Sequence, residues 1–284
     1  MKPAAFEYYA PSGIDEALDI LERTGEDAKV LAGGQSLVPL LNFRLARPSA
    51  IVDLNRIGAL SFIRRENGSL RIGSMARTAV LERSTLVAEE WPVLREAARF
   101  VGHAAIRNRG TVGGSVAHAD PTAELPVVLA ALDARLHLRS RAETRVLDAR
   151  DFFIGRLTTA LRPNEVLVAI EIAALAPKTS FGFAEFARTA GDFAMAGACV
   201  LLTRDDAGRC TAAAIALLGA GNVPYRAAEA ERALLGVTLD ARAALEIAAL
   251  AVADCKPPEP VRHRRALLAE MTRAALSRAA GLPA

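Results

Sequence analysis

The sequence predicts an α+β chain in two parts: a mixed helix-and-strand region over residues 1–177, and a region over 178–284 that opens with strands and closes with helices. Three observations predict it. Residues 1–55 alternate short apolar runs with an amphipathic helical pattern, giving a small α/β lobe. Two alternating runs then meet at Asn67-Gly68, a strong short-range hairpin signal. After "APKTS" the texture changes to three long apolar strands and then to helical patterns alone.

In order along the first lobe, "FEYYAPSG" reads as a short strand and turn. "SGIDEALDILERTG" reads as a helix, with Ser12 as N-cap, Asp15 three residues on and Gly25 as its stop. "AKVLAGG" is a strand running into glycines, and "SLVPLLNFRLA" a short helix that tolerates Pro39 in its first turn. "SAIVDL" is a buried strand, so Gly33 and Gly34 fall at a strand-to-helix junction. The second lobe, 56–177, holds the hairpin "LSFIRRENGSLRIGSMA" and the helices "TAVLERS" and "WPVLREAARFVG". A glycine-rich stretch, the helix "TAELPVVLAALDA", paired strands "RLHLRS" and "ETRVLDA", and a strand "EVLVAIEIA" complete it. Beyond residue 177, "SFGFAEFAR", "AMAGACVLLTR" and "CTAAAIALLG" read as a three-stranded antiparallel meander, and residues 224–280 as three helices without a good strand.

With 284 residues the chain can bury a sizeable core. Its formal charge of +3 and aromatic content of 5% give neither the basic footprint nor the stacking platforms of a nucleic-acid binder. Cys199, Cys210 and Cys255 are widely spaced and odd in number, which fits no disulfide framework and suits a reducing cytoplasm. The opening "MKPAAFEYYAPSG" has no apolar signal-peptide core, and no uncharged run reaches the roughly 18 residues of a membrane span. The expectation is a cytoplasmic globular protein.

Several motifs are near misses. "LLGAGNVPYRAAEAERAL" imitates a dinucleotide fingerprint, but Pro224 replaces the third glycine and no strands follow to extend a parallel sheet. It reads instead as a strand-to-helix turn with Asn222 as cap and Pro224 at the first helical position. No GxxxxGK[ST] phosphate loop and no GxSxG elbow occurs. His118 and Asp120 form an HxD pair without further histidines at ligand spacing, so no metal site and no catalytic acid–base residue is assigned.

Two glycine patches remain: "LAGGQSL", 31–37, and "GTVGGSVAHAD", 110–120. Glycine-rich turns near helix starts offer converging N–H donors to a pyrophosphate, and Ser36 and Ser115 can add hydroxyls. Tight turns alone also call for glycine. On spacing alone both readings stand.

"AGGQSLVPLLNFRLARPSAIVDLNRI" together with "GHAAIRNRGTVGGSVAHADPTAELP" resembles the FAD-binding medium subunit of the molybdenum hydroxylases, the carbon monoxide and xanthine dehydrogenase family. The likeness continues through "GDFAMAGACV" and "RHRRALLAEMTRAAL", nearly the whole chain. It implies a FAD-binding domain of the p-cresol methylhydroxylase (PCMH) type over 1–177 and a CO-dehydrogenase flavoprotein C-terminal domain over 178–284. The cofactor implied is non-covalent FAD. Val30, Leu31, Ala32, Gly33, Gly34, Gln35, Ser36 and Leu37 would form one wall of its diphosphate site, and Thr111, Gly113, Gly114 and Ser115 the other. Gly102, His103, Ala117, His118 and Asp120 would lie along it. Glu124 would meet the adenosine ribose, and Leu161 and Leu167 would either pack the adenine end or belong to the core. Asp192 and Phe193 would stand by the flavin ring, Phe193 either shielding it or packing. Arg107 and Arg109 either support the loop or lie in solvent, and the run Arg262 to Arg265 either starts a solvated helix or faces a partner.

The same likeness implies an electron-transfer oxidoreductase subunit whose molybdenum cofactor and [2Fe-2S] clusters reside in a large and a small partner subunit, in a dimer of heterotrimers. The alternative is a stand-alone PCMH-type flavin oxidoreductase, for which the residues after 177 are few and lack an acid–base cluster.

Overall fold

The computed structural model describes residues 2–258 and 260–283. Elements are numbered in chain order. The first lobe holds β1 (Glu7–Tyr9), α1 (Ile14–Thr24), β2 (Ala28–Leu31), α2 (Leu37–Asn42) and β3 (Ala50–Asp53). Its sheet is parallel, in the order β1-β3-β2. The apolar face of α1, with Leu18 and Leu21, is buried against Val52 and Leu54. Ser12 does not cap α1 as expected. Gly13 takes the cap position, and the Ser12 N–H and hydroxyl both donate to Glu16, the carboxylate of the first turn.

The hairpin β4 (Ile63–Glu66) and β5 (Ser69–Gly73) turns at Asn67-Gly68. A run of helices follows: α3 (Thr78–Arg83), α4 (Thr85–Glu90), α5 (Pro92–Phe100), α6 (Ala104–Arg109), α7 (Val112–His118) and α8 (Glu124–Ala131). Then come β6 (Arg135–Arg139), β7 (Thr144–Asp148), α9 (Ala149–Phe152), a small hairpin of β8 (Phe153–Gly155) and β9 (Thr158–Thr159), and β10 (Val166–Ile172). Five strands form one antiparallel sheet in the order β4-β5-β10-β6-β7. Its register explains the alternating sequence pattern. Ile63, Ile72, Ile170, Leu136 and Leu147 align across all five strands and face the helices, while the next row, Arg64, Arg71, Glu171, Arg135 and Asp148, faces away.

The rest of the chain gives β11 (Thr179–Phe186), β12 (Ala196–Arg204), β13 (Cys210–Leu218), β14 (Tyr225–Arg226), α10 (Ala228–Leu234), α11 (Ala241–Ala251) and α12 (Val261–Ala280). The predicted meander has a fourth strand, β14, paired with Ala216 and Leu217. It is too short, and too broken by Pro224, to show in the sequence. The same strand corrects the turn: Asn222 caps nothing, Pro224 precedes β14, and α10 starts only after Ala227.

One face of this second sheet packs under α10, α11 and α12. The other face, carrying Phe183, Cys199, Ala216 and Leu218, joins the core of the first region. Helix α8 lies between the two sheets, with all eight residues buried. Arg226 fixes its end, donating 2.7 Å to the Ala130 carbonyl while paired with Asp133 and Glu231.

Candidate diphosphate cradle and its surroundings

The fold brings the two glycine patches into contact. A β-carbon on Gly33 would run into the Arg109 carbonyl and stand 2.7 Å from Gly110 Cα. One on Gly114 would stand 3.4 Å from Ala32 Cβ and 2.6 Å from Thr111 Oγ1. Gly113 is pressed against Ser74, 2.5 Å from where its β-carbon would be, and donates its N–H to the Ser74 carbonyl at 2.9 Å. Gly33 and Gly113 are thus explained by backbone packing on protein. Gly34, at φ 75°, holds a left-handed turn that suits glycine.

The N–H groups decide what the arrangement can do. Among the described residues, no backbone N–H from Gly33 to Leu37 donates to a protein acceptor. The Ser36 hydroxyl caps nothing, and it and the Ser115 hydroxyl have no hydrogen bond. The run leads into the first turn of α2, where N–H groups have no partner within the helix, so it leaves consecutive donors open beside a second glycine turn, an arrangement able to meet an anion. The carbonyls behind it are held. Gln35 Nε2 donates 3.0 Å to the Gly33 oxygen, and Asn55 Nδ2 donates 2.8 Å to the Ala32 oxygen. The second patch sits in the first turn of α7 rather than in a loop: Thr111 is the N-cap, its Oγ1 accepting from Gly114 N–H at 3.1 Å. Asn55 and Arg77, which join the two patches, went unnoticed in the sequence because nothing local marks them.

The other expected residues divide into groups. Val30 and Leu37 flank the first patch, half-buried, with Leu31 and Ala32 between them. Gly102 precedes α6, and the His103 ring lies against Gly191, where a β-carbon would come within 2.6 Å of Cε1. That contact brings the segment with Asp192 and Phe193 over from the second sheet. The segment is tied by Met195 N–H to the Phe186 carbonyl at 2.8 Å and by Arg264 to the Met195 carbonyl at 3.0 Å. Phe193 is 70% exposed and packs no core. Ala117 is exposed and His118 half-buried on α7. Asp120 turns inward, accepting from Thr122 N–H and Oγ1 at 2.8 and 2.7 Å, so it shapes the turn into α8.

Glu124, at the start of α8, is only 8% exposed, and its carboxylate accepts from its own backbone N–H. Burial pushes its carboxyl up to about 7, and the charge of Asp120 adds to the shift. Glu185, on the sheet face opposite, is pushed to about 8 by burial and by Glu124, and its Oε2 has no partner.

Two of the open alternatives are answered by the packing. Leu167 is 4% exposed and belongs to the main core, because its position on β10 points toward the helices. Arg107 is not solvated. Its side chain is 15% exposed, paired with Glu82 at 2.7 Å and donating 2.8 Å to the Gly102 carbonyl, so it supports the loop. Leu161 is half-buried at the core edge. Arg109 lies in solvent, while in the late basic run Arg264 and Arg265 turn inward to the Met195 and Cys255 carbonyls.

Residues 4–174 match the family described as the FAD binding domain in molybdopterin dehydrogenase. Residues 181–280 match the CO dehydrogenase flavoprotein C-terminal domain. The chain belongs to the FAD subunits of the molybdenum hydroxylases. It is 42% identical to the 6-hydroxypseudooxynicotine dehydrogenase complex subunit alpha of Paenarthrobacter nicotinovorans, over 92% of this chain and 87% of that one. It is 38% identical to the carbon monoxide dehydrogenase medium chain of Afipia carboxidovorans, over 98% of both. Carbon monoxide dehydrogenase from Hydrogenophaga pseudoflava superposes with a TM-score of 0.95 at 37% identity, over 98% of both chains. The fold of this FAD subunit is therefore that of the medium chains, and its relatives are oxidoreductase subunits. In CO dehydrogenase-like complexes the molybdenum and iron–sulfur cofactors belong to the partner subunits.

Proposed function

We propose that this FAD subunit takes electrons from [2Fe-2S] clusters of a small partner subunit and passes them to an external acceptor, in a complex whose large subunit oxidises substrate at molybdenum. The observation that carries the reading is the unpaired N–H run of Gly33 to Leu37 against the Thr111–Ser115 turn. It fits a diphosphate, with the Ser36 and Ser115 hydroxyls free to add donors. Glu124 is a buried carboxylate that, among the described residues, no other side chain pairs with, which fits the hydroxyls of the adenosine ribose. Bound FAD supplies a centre that takes electrons singly and releases them in pairs. The protein's part is to hold it: the cradle neutralises the diphosphate, α8 presents Glu124, and the 187–195 segment sets Phe193 at the flavin end. The FAD-binding domain spans 1–177 in this reading, and the complex is a dimer of heterotrimers. We place it in the cytoplasm, where three buried, unpaired cysteines need no oxidant; among the described residues no helix is long and apolar enough to cross a membrane.

The test uses the purified chain loaded with FAD and proven free of molybdenum. A chemical reductant should bleach the flavin, whereas purines, N-heteroaromatics and carbon monoxide should leave it oxidised until the partner subunits are added. Direct bleaching by any of these substrates would replace the proposal with a stand-alone PCMH-type oxidoreductase.

A further inference from the structure

The two patches are held by one guanidinium. Arg77 Nη2 donates to Asn55 Oδ1 at 2.7 Å, and its Nη1 donates to the Arg109 carbonyl. Asn55 in turn donates to the Ala32 carbonyl at 2.8 Å and is itself fixed by Asp53 Oδ1, which accepts its backbone N–H at 2.9 Å. A hydrogen-bonded line therefore runs from the carbonyl before Gly33, through Asn55 and Arg77, to the carbonyl before Gly110.

In a trans peptide the C=O and the following N–H point in opposite directions. Holding the Ala32 oxygen on Asn55 aims the Gly33 N–H the other way, and that N–H has no acceptor in the protein. Holding the Arg109 oxygen on Arg77 fixes the second patch at the distance where Gly33 touches it. Arg77 sits beside the like charge of Arg109, and burial and that neighbour both depress its proton affinity, with Asp53 as the opposing acid.

We infer that Arg77, acting through Asn55, is a positioning residue that sets the aim and spacing of the diphosphate cradle. The inference rests on the reading of residues 33–37 as that cradle. Nothing in a local motif marks either residue, since Arg77 opens α3 and Asn55 follows β3.

The experiment measures binding of FAD, and of riboflavin, which lacks the diphosphate, to the full flavin-free chain by fluorescence quenching. It compares wild type, Arg77→Ala, Asn55→Ala and the double variant. Each single variant should weaken FAD about tenfold or more, the loss of one charge-assisted hydrogen bond, and leave riboflavin affinity and the apo melting temperature unchanged. The double variant should be no weaker than the worse single one, because both break the same line. A merely structural role would lower both ligands and the melting temperature together, and that result overturns the inference, as does unchanged FAD affinity. A wild-type chain that fails to bind FAD sinks the cradle reading itself, a distinct outcome.

Discussion

Gly114→Ala separates the cradle from the fold around it. The new β-carbon would stand 2.6 Å from Thr111 Oγ1, so the hydroxyl that caps α7 must rotate away from Gly114 N–H. Losing such a cap costs roughly 0.5–2 kcal/mol. Alanine in place of glycine within the first turn returns about 0.5–1 kcal/mol of helix propensity. The two largely offset each other, so apo stability should change by no more than about 1.5 kcal/mol, a melting shift within about 6 °C. The site does not share this cancellation. The methyl projects between the patches, 3.4 Å from Ala32 Cβ, and narrows the gap that the proposed diphosphate would occupy. FAD affinity should fall roughly 10- to 100-fold, the value of one hydrogen bond to a charged group. Thr111→Val is the control, since it loses the cap without adding volume at Gly114. Calorimetry of the apo protein and flavin fluorescence titration read the two effects separately. Wild-type FAD affinity in Gly114→Ala would show that the Thr111–Ser115 turn does not hold the diphosphate.

Two further outcomes follow from the surroundings. Glu124, with its carboxyl raised to about 7, favours the protonated folded state, so its contribution to stability is complete below about 4.5 and is lost as pH rises through about 7. Glu124→Gln should therefore raise the apo melting temperature at pH 8 while weakening FAD, whose ribose hydroxyls want a carboxylate; a Gln variant that melts lower than wild type at pH 8 would refute the buried-charge account. Phe193→Ala removes a side chain that is 70% exposed, so stability should hold within about 0.5 kcal/mol, while the visible absorbance band of bound FAD shifts. An unaltered spectrum would remove the 187–195 segment from the flavin end.

Most strands were legible because their partners were too. The row from Ile63 to Leu147 is written as alternation in five separate segments, and Asn67-Gly68 announces its own turn. Elements whose reason lies elsewhere in the chain were not. β14 exists because Tyr225 and Arg226 find β13, and Ser12 yields its cap position because Glu16 competes for its hydroxyl. The glycine patches were visible as composition, yet the reason for individual glycines was not: Gly33 and Gly113 make room for Arg109 and Ser74, distant in sequence. Arg77 and Asn55 follow the same rule, since each is an ordinary polar residue until the fold sets them 2.7 Å apart.

Helix α8 has consequences for how such proteins can be taken apart. Its sides are divided between two regions that family descriptions treat as separate modules, and Phe183, Leu201 and Leu218 of the later module complete the interior of the earlier one. Gly219 N–H also reaches the Pro121 carbonyl at 2.9 Å across the same seam. A chimera that pairs the first module of this chain with the second of a relative inherits a mismatched interior unless α8 and the facing sheet travel together. Recombination between family members should be tolerated least within residues 121–226.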